Sequence, residues 1–399
     1  MKSFLNSIKK IFIREIRLIA RDKNIISVIL LAPLFYSFFY GSIYFNKAET
    51  KVEISIIDND ASATSRKIIR FLDASQMLSV TNTISNMEEG KDKLIDNDAK
   101  AIFYLPKGFE ETLKNGKQAK LKIYLNGTRF LVSNDINKAI NEVIGYVNAG
   151  ITVNYYETKG NNFEQAKALA IPINMDIRPL FNFTDSYGDF LIPAILILIL
   201  QQTLLIGLSQ SIARERENKT FPTLLKLGKW KPLAIIYGKG LFYLLLFGSY
   251  SIFFFTVSFG VFKLQNIGDF LPLFIITFLL LIAVINISVF VASFFHRKIV
   301  ALQFLTLTSY PIFLISGYSW PFSLMPTYLK VFANILPSTP YFGAFTRITQ
   351  MGAGVVDVLS EIIHLLLLSI IGNILAYYRI KYLSNKSTGT EMSPQIINH

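Results

Sequence analysis

Apolar positions along the chain fall into six long runs separated by polar segments. Five windows, 24–46, 190–213, 240–262, 270–296 and 299–329, contain no Asp, Glu, Lys or Arg, and a shorter sixth covers 362–378. About 20 helical residues cross a hydrocarbon core of roughly 30 Å, so each of the first five windows predicts one span. The window 299–329 is too short for two. The sixth span is expected from about 355, because Met351–Ser360 carries only Asp357 and that charge sits near the interface. The first run is too long for a signal-peptide core and has no small-x-small site before Lys47, so it reads as an uncleaved span.

The intervening segments carry other periods. In 1–23, Phe4, Ile8, Ile11, Phe12 and Ile19 recur at helical spacing, while Lys10, Arg14, Arg17 and Arg21 follow another face. This predicts a basic amphipathic helix at the membrane surface, serving either as an orientation signal or as an elbow that moves with the first span. The segment 47–189 is long enough for a domain. Alternation at Val52–Ile56 and Leu121–Leu125 predicts half-exposed strands, and Ala101–Leu105 a more buried one. Helical spacing covers 62–74, 88–96, 107–115, about 132–157 and 163–170, with Ser62 as an N-cap and Pro106-Lys107-Gly108 as a strand-to-helix turn. Asp58 and Asp60 read as turn residues rather than catalysts. The fold class expected is a membrane all-α six-span bundle with an inserted α/β extracytoplasmic domain.

Composition agrees with lipid as the solvent: 52% of residues are hydrophobic, 17% are charged and 34 are Phe. The distribution of the +13 net charge sets the orientation. Seven Lys and Arg lie in 1–23, seven in 214–239, two in 297–298 and three in 379–399, against one in 263–269 and two in 324–361. Cytoplasmic loops are enriched in these residues, so both termini are expected in the cytoplasm and 379–399 is a cytoplasmic tail. The charge then reports topology and contact with anionic membrane lipids, and no nucleic acid is expected as a partner. The chain has no cysteine and three His, at 296, 364 and 399, which leaves no thiolate chemistry and no metal cluster.

The most informative polar segment follows the second run: Arg214-Glu215-Arg216-Glu217-Asn218-Lys219-Thr220. Four alternating charges are consistent with a solvated helix extension. Beyond them, Thr220 is placed as an N-cap, Pro222 lies in the first turn, and Gly228 is placed to end a short helix in the left-handed conformation. Such a capped helix between two spans suits a socket-and-ball contact with a soluble partner.

Here the sequence resembles the type-2 family of ATP-binding-cassette (ABC) export permeases, in its drug-exporter-like branch. The family pattern Arg-Glu-Arg-Glu-x-Gly-Thr, followed by Gly-Lys, is matched by Arg214 to Thr220 and Gly238-Lys239, with Lys219 where Gly is usual and Pro222 where Glu is common. Arg14-Glu15 through Arg21-Asp22 with Pro33, Ile56-Ile57-Asp58-Asn59-Asp60, Leu105–Phe109, Tyr124–Gly127, Ser316–Pro321, Leu336–Pro340 and Arg347 extend the resemblance over most of the chain. It implies that Arg214–Gly228, within the cytoplasmic loop 214–239, is a coupling element docking on a separate ATPase, through Arg214, Glu215, Arg216, Glu217, Asn218, Lys219, Thr220, Leu224 and Leu225. It also implies two ATPase subunits per complex, a second permease copy or sister chain, an inner-membrane location and room for a periplasmic adaptor. This chain would bind no cofactor, ATP and Mg belonging to the ATPase. None of the Gly-Lys dipeptides at 90, 116, 228 and 238 sits in a Walker A pattern, so the chain itself is not expected to be an enzyme.

The spans are expected to hold no ionisable residue except His364, with His296 at the very end of its window, and an ion-coupled transporter would more often show buried carboxylates. Gln201, Gln202, Thr203, Gln303, Thr306 and Tyr310 are the candidates for a translocation path, while Gln201, Gln202 and Asn286 are equally readable as interhelical hydrogen-bond glue. Pro321, Pro326, Pro337 and Pro340 break 321–350 into pieces, expected as a re-entrant hairpin over the outer mouth. The expected function is a permease exporting an amphipathic or lipid-like compound. The alternative is an envelope receptor or scaffold whose outer domain binds a ligand or partner without transport. An enzyme acting on lipids is the weakest reading, since no span carries a nucleophile-base pair.

Overall fold

The computed structural model describes residues 2–45, 49–173, 180–181 and 186–391. Position 46 of the first window and 392–399 of the tail, with His399, lie outside the described residues. The chain forms two compact units, Met1–Lys47 joined with Pro179–His399, and Ala48–Arg178 inserted between them.

The first unit begins with α1 (Lys2–Ile19), whose buried face is Ser7, Ile11, Glu15 and Ile19. The chain turns at Asp22, whose carboxylate accepts the amides of Asn24 and Ile25 and so caps the next helix. That helix runs through α2 (Lys23–Ile26), a π turn and α3 (Ala32–Ile43).

In the inserted unit, β1 (Val52–Asp58), α4 (Ala63–Asp73), β2 (Leu78–Thr83), α5 (Met87–Ile95), β3 (Ala101–Leu105), α6 (Phe109–Lys114) and β4 (Lys122–Leu125) lead to α7 (Phe130–Thr158) and α8 (Phe163–Ala170). The sheet order is β2-β1-β3-β4, with β1 parallel to β2 and β3, and β4 antiparallel to β3. One face buries Ile54, Ile56, Phe103 and Leu105 with Ile68 and Leu72 of α4 and Ile136 and Ile140 of α7. The other buries Ile57, Ile84 and Ile102. Three strands coincide with the runs legible in the sequence. The fourth, β2, is a polar edge strand, Leu-Ser-Val-Thr-Asn-Thr, whose weak alternation hides it. Ser62 caps α4 in a capping box with Ser65. Asp58 accepts the amides of Asp60 and Ala61, and Asp60 accepts those of Phe109 and Glu110, so both carboxylates organise turns.

The first unit resumes with α9 (Tyr187–Glu217), α10 (Phe221–Leu227), α11 (Pro232–Phe253) continued through a π turn into α12 (Phe259–Val261), α13 (Phe270–Ala292), α14 (Lys298–Ile315), α15 (Thr327–Asn334), α16 (Ser338–Met351) and α17 (Leu359–Glu391). Among the described residues six helices are long and apolar enough to cross a membrane: Lys23–Ile43, Tyr187–Glu217, Pro232–Val261, Phe270–Ala292, Lys298–Ile315 and Leu359–Lys386. The chain is thus a six-span helical bundle with an inserted α/β unit. The sixth helix starts at Leu359 rather than about 355, because Gly354 and Asp357 form a turn closed by the Asp357 carboxylate on the Gly354 amide. α9 is almost wholly enclosed, packed by α3, α11, α13 and α14, and buries its polar residues with its apolar ones. The segment 321–350 holds two helices, α15 and α16, separated at Pro337. Arg347 of α16 is paired with Glu361 at 2.9 Å, and the ring of His364 bonds the Asn334 carbonyl at 2.8 Å.

Candidate functional site

The site forms where α1, α9 and α11 converge, at the end of the bundle that carries α10. α1 packs along α11. Close approach is possible because Gly238 faces it: a Cβ there would stand 2.7 Å from Cβ of Ile11. One turn further along α1, Glu15 replaces an apolar residue in the i+4 series Ser7, Ile11, Glu15, Ile19, so the packing that buries Ile11 also buries a carboxylate.

Four charges meet in this seam. The Lys239 ammonium binds the Glu15 carboxylate at 2.5 Å and lies 3.4 Å from that of Glu215, and all three side chains are at most 1% exposed. Arg14 donates to both oxygens of Glu215, the second at 2.8 Å. Ser211 donates to Glu15 and accepts from Lys239 at 2.8 Å, and the Tyr243 hydroxyl donates to the Gly207 carbonyl at 3.1 Å. Two cations and two carboxylates cancel formally, which is how charges this deep are tolerated. Burial works against the charged form of Arg14, but its bond to Glu215 and the charges of Glu215 and Glu15 outweigh it and raise its pKa.

A second set of ties flanks the first. Arg214 donates to the Leu18 carbonyl at 2.9 Å and to Asp22 at 3.2 Å, and Lys298 at the start of α14 donates to the same Asp22 oxygen at 2.9 Å. Burial pushes the Asp22 pKa up, but the bonds from Lys298, the Ile25 amide and Arg214 bring it below the ordinary value. Arg216 donates to the Phe295 carbonyl at 3.0 Å and to that of Ser293, and Glu217 accepts the Lys298 amide at 2.8 Å. The end of α9 is therefore fastened to α1, α11 and the α13–α14 turn.

The chain leaves α9 through a Schellman turn. The Thr220 amide reaches the Glu215 carbonyl at 2.8 Å and the Lys219 amide reaches that of Arg216 at 3.2 Å, with Lys219 left-handed at φ 56°. Thr220 makes no side-chain cap for α10. Its hydroxyl turns back to the Glu215 carboxylate at 2.5 Å, since that charged acceptor is the stronger partner. Gly228 is right-handed at φ −74°, and the left-handed position falls one residue later on Lys229, whose amide bonds Lys226 while that of Trp230 bonds Leu225. Gly228 is small for a different reason: a Cβ would lie 3.2 Å from Ile235.

Of the residues assigned to coupling, Arg214, Glu215, Leu224 and Leu225 are buried, Arg216 and Thr220 are half-buried, and Glu217, Asn218 and Lys219 are exposed. Thr223 and Lys226 extend the exposed side of α10. The charged run is thus only in part the solvated extension its pattern suggests. The path candidates divide as well. Gln201, Gln202 and Thr203 are enclosed in α9, whereas Gln303, Thr306 and Tyr310 line one exposed face of α14, Tyr310 at 67%. Among the described residues neither polar atom of the Gln202 amide has a hydrogen-bond partner.

Lys239 lies inside the helix Pro232–Val261, and the charge-free window placed it just outside the span. Glu15, Ser211 and Tyr243 also escaped sequence reading as members of the site. The i+4 placement of Glu15 between Ile11 and Ile19 was the signal for it.

The sequence matches the family described as ABC-2 family transporter protein over residues 23–378. It is 24% identical over 370 residues to the linearmycin resistance permease protein LnrN of Bacillus subtilis (strain 168), covering 86% of this chain and 91% of that one.

Proposed function

This chain belongs to the ABC-2 family of transporter proteins, and we propose that it is the permease subunit of an ATP-driven exporter, coupled to a separate ATPase through α10 and the turn before it. The observation that carries this reading is the buried seam of Arg14, Glu15, Glu215 and Lys239 directly beneath that turn. Thr220 and Glu215 connect the turn to α1 and α11, so a push on α10 is delivered to three helices together rather than absorbed by a loose loop. The exposed surface for the ATPase is Glu217, Asn218, Lys219, Thr223 and Lys226, and the buried members of the run transmit rather than touch. ATP and Mg bind the ATPase pair, and hydrolysis takes place there.

The polar face of Gln303, Thr306 and Tyr310 is costly against lipid, and a second permease copy opposite it would turn it into the wall of a central path. The basic end of the bundle faces the cytoplasm of the cell (inner) membrane, which puts both termini on that side and the inserted unit outside. The helices of 321–350 cap the outer mouth. The relative's name ties LnrN to linearmycin resistance. For this chain we extend only the class of cargo, an amphipathic compound removed from the cytoplasm or inner leaflet.

The test is co-purification with the ATPase encoded beside the gene and hydrolysis by the reconstituted complex. Charge reversal at Glu217 and Lys226 lowers stimulation of the ATPase if α10 is the contact. A chain that neither binds nor stimulates any Walker-containing protein contradicts the proposal.

A further inference from the structure

A cavity of about 500 Å³ opens where α1 begins, α11 begins and α17 nears its end, lined among others by Phe4, Trp230, Lys231, Leu233, Tyr377 and Lys381. Its chemistry is divided. Phe4, Trp230, Leu233 and Tyr377 supply aromatic and aliphatic walls, and Lys231 and Lys381 supply two ammonium groups. Among the described residues no carboxylate lines it, and the flanking segments 1–14, 218–268 and 362–390 contain no Asp or Glu. Lys381 stands over the Tyr377 ring, 5.9 Å from its centre. The rim is built rather than loose: Lys229 donates to Ser3 at 2.8 Å, and Lys229 and Trp230 hold consecutive left-handed backbones that set the indole there. Leu233, Tyr377 and Lys381 belong to spanning helices, so the cavity lies at the end of the apolar belt, where lysines and Trp meet headgroups.

We propose that this cavity binds an anionic phospholipid, with Lys231 and Lys381 on the phosphate and Phe4, Trp230 and Leu233 against the glycerol and first methylenes. Paired lysines without a counter-carboxylate select a net negative headgroup, and a choline headgroup would bring a third cation beside them. An acidic surface of a soluble protein would satisfy the lysines but leave the apolar walls, which continue onto the spans, uncovered. The bound lipid would join α1, α11 and α17 beside the α10 turn. The proposal requires membrane embedding and does not depend on export.

Native mass spectrometry of the full chain from micelles holding equal phosphatidylglycerol and phosphatidylcholine tests it. The wild-type chain is expected to retain phosphatidylglycerol preferentially, and each lysine removed in Lys231→Ala/Lys381→Ala weakens that preference about fivefold. Lys231→Arg/Lys381→Arg keeps it, as does Lys120→Ala in the inserted unit. A melting midpoint in phosphatidylcholine alone equal to that of the wild type certifies the fold of the alanine variant, and Lys231→Gln/Lys381→Gln, with longer side chains, replaces it if that midpoint falls. Unchanged phosphatidylglycerol retention in the lysine-free variant overturns the proposal. So does inorganic phosphate displacing the lipid at millimolar concentration, which would mark a site for a free anion. Loss of ATPase association with lipid retention intact would overturn it in favour of a protein contact.

Discussion

The ammonium of Lys239 rests on the carboxylate of Glu15, 224 residues away in the chain, and neither side chain is exposed. Removing one partner strands the other, so Lys239→Met or Glu15→Gln alone is expected to cost about 3–5 kcal/mol. The pair Glu15→Gln/Lys239→Met should be less destabilised than the sum of the two by about 2 kcal/mol or more, because neither charge is then left alone. Thermal unfolding of the four proteins in one detergent measures this. Additive losses would mean that the two groups do not depend on each other.

Lys219 occupies the left-handed position of a Schellman turn, where a residue without Cβ is favoured. Lys219→Gly is expected to stabilise the chain by up to about 1 kcal/mol, and Lys219→Val to destabilise it by about as much. Melting midpoints moving in these opposite directions support the turn. A loss on Lys219→Gly would show that the side chain, not the backbone, is what matters there.

Gly238 lets α1 lie against α11. Gly238→Leu forces the helices apart, at about 1–3 kcal/mol for overpacking, and opens the seam one residue away. Trypsin should then cut faster at Lys9 and Lys10 of α1, while cleavage within the inserted unit stays unchanged. Unaltered cleavage at α1 would place the helix elsewhere.

Asp60 links β1 to α6. Burial pushes its pKa up, but bonds from Ser62 and from the amides of Glu110, Phe109 and Gly108 leave it below the ordinary value. Glu110 is also held low, chiefly by the Thr64 hydroxyl and Lys114. A depressed carboxylate adds stability above its unfolded pKa, about 3.9 for Asp, and loses it as pH falls through the folded value. Amide exchange of Phe109–Lys114, corrected for intrinsic rates, should therefore accelerate on acidification below about pH 4. Asp60→Asn should flatten most of that dependence and Glu110→Gln part of the rest. Protection that rises on acidification contradicts the assignment.

The spans, the charge asymmetry and the strands β1, β3 and β4 were legible because each leaves a periodic or compositional trace. β2 was not, since an edge strand with polar residues on its open side lacks clean alternation. The seam was hidden for a different reason. Glu15 and Lys239 look like boundary charges one at a time, and only the approach of α1 to α11 at Gly238 shows that both are inside. The left-handed position expected at Gly228 falls instead on Lys229, because hydrogen-bond register, not residue preference, sets where a helix ends.

In the proposed coupling, α10 meets the ATPase and the seam beneath it carries the load. Because the chain contains no cysteine, one introduced thiol can be labelled alone. A photo-activated crosslinker on Thr223→Cys, in the complex reconstituted in vesicles, is predicted to trap the ATPase, with buried Leu224→Cys as the control that traps nothing. An ATPase that remains bound and active yet forms no adduct from position 223 would show that α10 is not the contact.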